Sequence, residues 1–112
     1  FFEKVVKSNI DYNYLEMRDT AYNLTGATKP NVVFEESYLK GTIYIHCSYN
    51  GGVTWHSVYG LNRSGQELGF KQRIVSLATC ANKPQVHVRF RVYQYQTQGN
   101  VWRLRNIVVT KQ

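Results

Sequence analysis

The chain has 112 residues, 43% hydrophobic and 14% aromatic, with nine tyrosines and a formal net charge of +7. That length fits one core and no second one, and the hydrophobic share excludes a disordered tail. No apolar run approaches the ~20 residues that a membrane-spanning helix needs, so direct membrane insertion is not expected.

In chain order the sequence offers short runs with period-2 alternation, separated by turn residues. The predicted strands are Phe1–Lys7, Tyr14–Arg18, Val32–Leu39, Thr42–Tyr49, Thr54–Leu61, Phe70–Leu77, Gln85–Gln96 and Val101–Thr110. Such spacing signals an all-β sandwich or barrel, and no window sustains the 3.6-residue period of a helix. Asn50-Gly51-Gly52 and Gly99-Asn100 supply residues that reach positive φ cheaply, as tight hairpins require. In the fourth run Ile43, Ile45, Cys47 and Tyr49 form the apolar side, leaving Tyr44 and His46 on the other. In the seventh, Val86, Val88, Phe90 and Val92 point to the core, so His87, Arg89, Arg91, Tyr93 and Tyr95 share the opposite face. In the last, Arg103 and Arg105 alternate with Trp102 and Leu104. If these strands share one sheet, its exterior is a patch of arginine, histidine and tyrosine.

Charge is distributed unevenly along the chain. From Arg63 onward nine basic residues stand against one acid, Glu67, whereas the first 62 residues carry five basic and six acidic side chains. A one-sided positive field attracts anions such as acidic polysaccharide, acidic protein or nucleic acid; its plainer use is to keep a domain soluble. Cys47 and Cys80 lack the paired short spacing of a zinc site. They either form a disulfide, which fits a secreted domain, or pack as two reduced small hydrophobes. Asn23-Leu24-Thr25 and Asn62-Arg63-Ser64 satisfy the N-glycosylation pattern, both in predicted loops. The chain begins Phe-Phe-Glu without an initiator methionine, which reads as a segment excised from a longer secreted or surface protein.

Two stretches carry a resemblance. Ser48-Tyr-Asn50-Gly-Gly52-Val-Thr54-Trp55 resembles the Asp-box, Ser-x-Asp-x-Gly-x-Thr-Trp, with Asn50 in the place of the acid. The spacing suits a tight hairpin in which the Asn side chain bonds backbone amides and Trp55 packs beside the turn. The motif occurs in sialidases, sortilin-type propellers and, singly, reelin subrepeats, and it is structural in each. Val88-Arg-Phe-Arg-Val-Tyr followed by Asn100-Val-Trp102-Arg-Leu-Arg-Asn106-Ile-Val-Val is similar to the close of reelin-subrepeat, MAM-like and cleaved-adhesin-type jelly rolls. The resemblance implies one antiparallel jelly-roll sandwich over residues 1–112, used outside the cell in adhesion, receptor contact or glycan binding. Relatives often place an acid in the final strand to hold structural calcium. Here that position is Arg105, followed by Asn106, and Asp11 or Asp19 is left as the candidate ligand.

Catalysis finds little support. No serine or cysteine stands beside a histidine oriented by a carboxylate, since Glu67 is the only acid in the second half. Glu35 and Glu36 are neighbours on a strand and point to opposite faces, which defeats paired-carboxylate glycoside hydrolysis. The alternation allows His46 and His87 to meet on one sheet face, and the plainer reading is that they are exposed imidazoles without a catalytic partner. The expected function is a non-catalytic adhesion or receptor-contact module. Its candidate ligand residues are Tyr44, His46, His87, Arg89, Arg91, Tyr93, Tyr95, Arg103 and Arg105, taking an acidic protein or glycan, heparin included. The alternatives are a carbohydrate-binding module attached to a secreted enzyme, an architectural domain supporting its neighbours in the chain, and single-stranded nucleic acid binding, which the extracellular resemblance disfavours.

Overall fold

The computed structural model describes residues 3–7, 12–16, 21–38, 41–63, 65, 67–93 and 101–111. Eight strands run β1 (Glu3–Lys7), β2 (Tyr12–Glu16), β3 (Asn31–Tyr38), β4 (Gly41–Ser48), β5 (His56–Arg63), β6 (Glu67–Ser76), β7 (His87–Tyr93) and β8 (Val101–Thr110). The described helix is one 3-10 turn, Ala78–Cys80. The strands form two four-stranded antiparallel sheets, ordered β1-β8-β3-β6 and β2-β7-β4-β5. Sequence neighbours from β1 to β8 alternate between the sheets except at the β4–β5 hairpin, and this interleaving is a jelly roll.

Alternation made the core legible. From one sheet Val32, Phe34, Val75 and Leu104 point inward, and from the other Ile43, Ile45, Cys47, Val88, Phe90 and Val92, joined by Val86 just before β7; none is more than 4% exposed. Phe34 and Phe90 meet edge to face between the layers, with centroids 5.2 Å apart and planes at 79°. That geometry sets the positive rim of one ring against the negative face of the other. Among the polar residues Glu36 takes an inward position on β3 and is fully buried, while its neighbour Glu35 is not.

One end of the sandwich is closed by loops. Tyr22 and Val86 exchange backbone hydrogen bonds of 2.8 and 2.9 Å, and the Leu24 N–H donates to the Lys83 carbonyl at 2.8 Å. This docks the segment before β3 onto the segment before β7 and seats Leu24, fully buried, in the core. A disulfide joins Cys47 on β4 to Cys80 in the 3-10 turn, which decides between the two readings of the cysteines.

Several expectations change. β5 begins at His56 rather than Thr54, because the Thr54 N–H is engaged inside the preceding turn by Asn50 Oδ1 at 2.9 Å. β5 also runs on to Arg63, so Asn62 lies in the strand rather than in a loop, whereas Asn23 is exposed outside any strand. Tyr49, expected to continue the inward row of β4, lies beyond the strand's last residue and is 40% exposed. The largest correction concerns β7 and β8. They sit in different sheets, so Arg103 and Arg105 do not share a face with Arg89 and Arg91. Alternation tells which face a residue takes, and jelly-roll winding sends successive strands to opposite layers. Gln94–Gln96 lie outside the described residues.

Candidate functional site

The outer face of the β2-β7-β4-β5 sheet gathers most of the nominated ligand residues. β4 pairs with β7 so that Tyr44 stands opposite Arg91, His46 opposite Arg89 and Ser48 opposite His87. Directly opposed side chains in an antiparallel pair lie about 5 Å apart at Cβ. Two arginines, two imidazoles and a tyrosine thus form one half-buried cluster. Tyr93 falls opposite Thr42 in the same register; Tyr95 lies outside the described residues. On the far side of β7, the backbone register sets Tyr14 opposite Arg91 and Glu16 opposite Arg89.

Packing orders the cluster. The Tyr44 and His46 rings stack with centroids 6.4 Å apart and planes inclined by 28°. The Arg89 guanidinium lies 4.3 Å from the centre of the Trp55 ring, a cation–π contact that holds a charged group flat against the sheet. Trp55, assigned to the fold by its sequence position, therefore also supports the basic face. Nδ1 of His46 and Nδ1 of His87 are both shut from solvent without a hydrogen-bond partner among the described residues. Burial, then the positive charges of Arg89 and Arg91, push the His46 pKa down to about 4. At neutral pH this imidazole is uncharged, and both arginines supply the positive field.

The turn leading into β5 is built around Ser48 and Asn50. The Ser48 hydroxyl donates to Asn50 Oδ1 at 2.9 Å and accepts the Gly52 N–H at 2.9 Å. Asn50 Oδ1 also accepts the Thr54 N–H. Gly51 and Gly52 hold φ of 73° and 87°, a region costly for residues with a Cβ. Beside this turn Tyr49 stacks on His56 at 5.1 Å, and Lys83 Nζ lies 4.6 Å from the Tyr49 ring centre. Composition alone did not single out His56 or Lys83; both reach Tyr49, Lys83 from the loop before β7.

Arg103 and Arg105 occupy the outer face of the other sheet. Arg103 is exposed, but Arg105 is engaged within the fold. Its Nε donates to Glu35 Oε1 at 2.7 Å, and its guanidinium carbon lies 3.6 Å from the Phe70 ring centre. Asn106, at φ 52° in a bulge of the β3–β8 pairing, donates to the same oxygen at 3.0 Å. The Arg105 hydrogen bond holds the Glu35 carboxyl below its ordinary pKa. Among the described residues no three histidine, cysteine or carboxylate side chains come together as a metal site. Asp11 and Asp19, the candidate ligands for a structural calcium ion, lie outside the described residues.

No curated protein matches the chain in sequence. Among solved structures it is similar to a Bacillus subtilis glycoside hydrolase family 43 arabinoxylan arabinofuranohydrolase in complex with cellotetraose, with TM-score 0.54 and 15% identity. That match covers 96% of this chain but 21% of the hydrolase, so the chain spans about a fifth of that protein's length. A structure described as "CBM4 structure and function" is similar at TM-score 0.50 and 12% identity, over 98% of this chain and 82% of the other. At these identities the likeness is one of fold. The family described as Reelin subrepeat B matches residues 19–110, and with most of its length inside that match the chain belongs to the reelin subrepeat B family.

Proposed function

We propose that this chain is a non-catalytic extracellular adhesion or receptor-binding module that recognises an acidic ligand through the outer face of β4 and β7. The observation that carries the reading is the register that sets Tyr44 against Arg91 and His46 against Arg89. It concentrates two guanidinium groups, which take carboxylate or sulfate in bidentate geometry, among flat rings on a rigid sheet. The Asp-box-like turn serves this face structurally, by fixing Trp55 beneath Arg89. The disulfide and the subrepeat family support a secreted or cell-surface setting, with neighbouring domains of the same chain as further partners. No described helix is long and apolar enough to cross a membrane.

A carbohydrate-binding module appended to a secreted enzyme is the second reading. The observation favouring it is the likeness to a segment making up a fifth of an arabinofuranohydrolase, together with the CBM4 fold match. Heparin chromatography separates the two. Under the first reading the chain binds in a salt-sensitive manner, and Arg89→Ala with Arg91→Ala shifts elution to markedly lower salt. Elution unchanged by that double substitution removes the basic face as the site. Binding of neutral oligosaccharide that ignores salt supports the second reading instead.

A further inference from the structure

The cluster on β4 and β7 has a bare flank. Gly60 lies within β5, directly opposite Tyr44, and is exposed. A Cβ placed there would stand 3.1 Å from Tyr44 Cδ1 and 3.3 Å from Tyr44 Cε1, tighter than ordinary van der Waals contact. The Tyr44 ring therefore reaches sideways across β5 and rests over the Gly60 backbone. Gly60 is not among the glycines at positive φ, so its backbone conformation does not call for glycine. A glycine inside a strand weakens it by roughly 0.5–1 kcal/mol relative to alanine. What the position gains is room for the ring.

The result is a floor with charged walls. Tyr44 and His46 make an aromatic strip along β4; Arg91 and Arg89 stand opposite them on β7, with the Arg89 guanidinium against Trp55, and beside Tyr44 on β5 Gly60 raises no side chain. His46, neutral at physiological pH, adds ring surface rather than charge. An acidic peptide needs guanidinium groups and backbone partners but gains little from a flat aromatic floor. A pyranose has an apolar C–H face that such a floor desolvates, while sulfate or carboxylate groups at the ring's rim reach the arginines. Resting on the reading of this face as the anion site, we infer that its ligand is an acidic polysaccharide, sulfated or uronic. One sugar ring lies on Tyr44, and Gly60 determines specificity by leaving that ring in place.

The probes are a heparin-derived octasaccharide and a polyglutamate peptide of matched charge, titrated calorimetrically into the whole chain. The chain binds the octasaccharide more tightly. Tyr44→Ala weakens octasaccharide binding about three- to tenfold, the scale of one ring–ring contact, and leaves the salt dependence and the polyglutamate affinity unchanged. Tyr44→Phe retains the ring and stays within about twofold of the parent, which guards against a folding artefact, because a ring over a strand glycine also stabilises the sheet. Gly60→Ala displaces the ring by a few tenths of an ångström and weakens the octasaccharide selectively. Octasaccharide binding that needs Arg89 and Arg91 but ignores Tyr44 overturns the stacking inference and leaves the basic face standing. Tighter binding of polyglutamate assigns an acidic protein and overturns it too. Failure of both probes to bind sinks the face itself.

Discussion

The Glu36 carboxylate on β3 meets the Arg63 guanidinium on β5 across the gap between the two sheets, with 0% and 9% of the two side chains exposed. Arg73 on β6 donates its Nε to the same oxygen, Oε2, at 2.7 Å. Arg63 also lies 3.4 Å from the Tyr59 hydroxyl. Glu36 shares the inward side of β3 with Val32 and Phe34, so along the β5/β6 edge charge closes the sandwich where hydrocarbon does so elsewhere.

Removing one partner of a buried ion pair leaves the other desolvated and uncompensated. Glu36→Gln is expected to lower the unfolding free energy by about 3–5 kcal/mol, read from urea denaturation. Glu36→Leu combined with Arg63→Met is expected to lose much less than the sum of the single substitutions. Additive losses would show that the pair is not coupled.

The Cys47–Cys80 bridge spans a sequence separation of 33 residues. Closing a loop of that size removes unfolded-state entropy worth roughly 3–4 kcal/mol. The Cys47→Ala/Cys80→Ala double variant is expected to lose about that much, and the parent treated with reductant to match it. A reduced protein that unfolds at the parent's urea midpoint contradicts this.

His46 makes stability depend on pH in a definite direction. Its folded pKa, about 4, lies below the ~6.5 of an exposed histidine. As pH falls through that interval the unfolded chain takes up a proton that the folded chain refuses, so stability drops from about pH 6.5 downward and the loss is complete below about pH 4. Arg89 and Arg91 on β7 are the charges that disfavour imidazolium, Glu16 on β2 stands opposite Arg89 in register, and Ser57 is its partner on β5. An NMR titration should find His46 with a pKa well below that of an exposed histidine, and His46→Gln should flatten thermal stability between pH 6.5 and 4. Ordinary titration of His46 near 6.5 is the contrary outcome.

Because Arg103 and Arg105 lie on the opposite sheet, their loss should be felt differently. Arg103→Ala with Arg105→Ala is expected to shift heparin elution less than Arg89→Ala with Arg91→Ala, although each pair removes two charges. The Arg105–Glu35 pair is about one-third exposed, so solvent screens it and its loss should cost little stability. Equal shifts for the two double variants would mean that net charge, not a built face, governs binding.

Much of the fold could be read from residue order. Val86, Val88, Phe90 and Val92 alternate so regularly that their inward orientation was plain, as was the outward placement of His87, Arg89 and Arg91. Ser48, Asn50 and Gly52 marked the β4–β5 turn through their spacing. The pairing of Arg105 with Glu35 could not be read, because a basic residue at an outward position gives no hint of whether an acid on another strand will claim it. Gly60 passed unnoticed although a glycine inside a strand pattern signals a close approach; the approaching group, Tyr44, lies 16 positions away in sequence.

Composition and period-2 patterning, acting through contacts between near neighbours, determined that this chain is an all-β sandwich or barrel and which side chains of each strand meet the core; the jelly roll was implied by the family resemblance. Tertiary structure alone decided which strands lie side by side. That choice separated Arg103 and Arg105 from Arg89 and Arg91, paired the two cysteines, and drew Arg63 and Arg73 onto Glu36. Alternation repeats identically in every strand, so it carries no label for a strand's partner; partner choice emerges only when both layers close over one core.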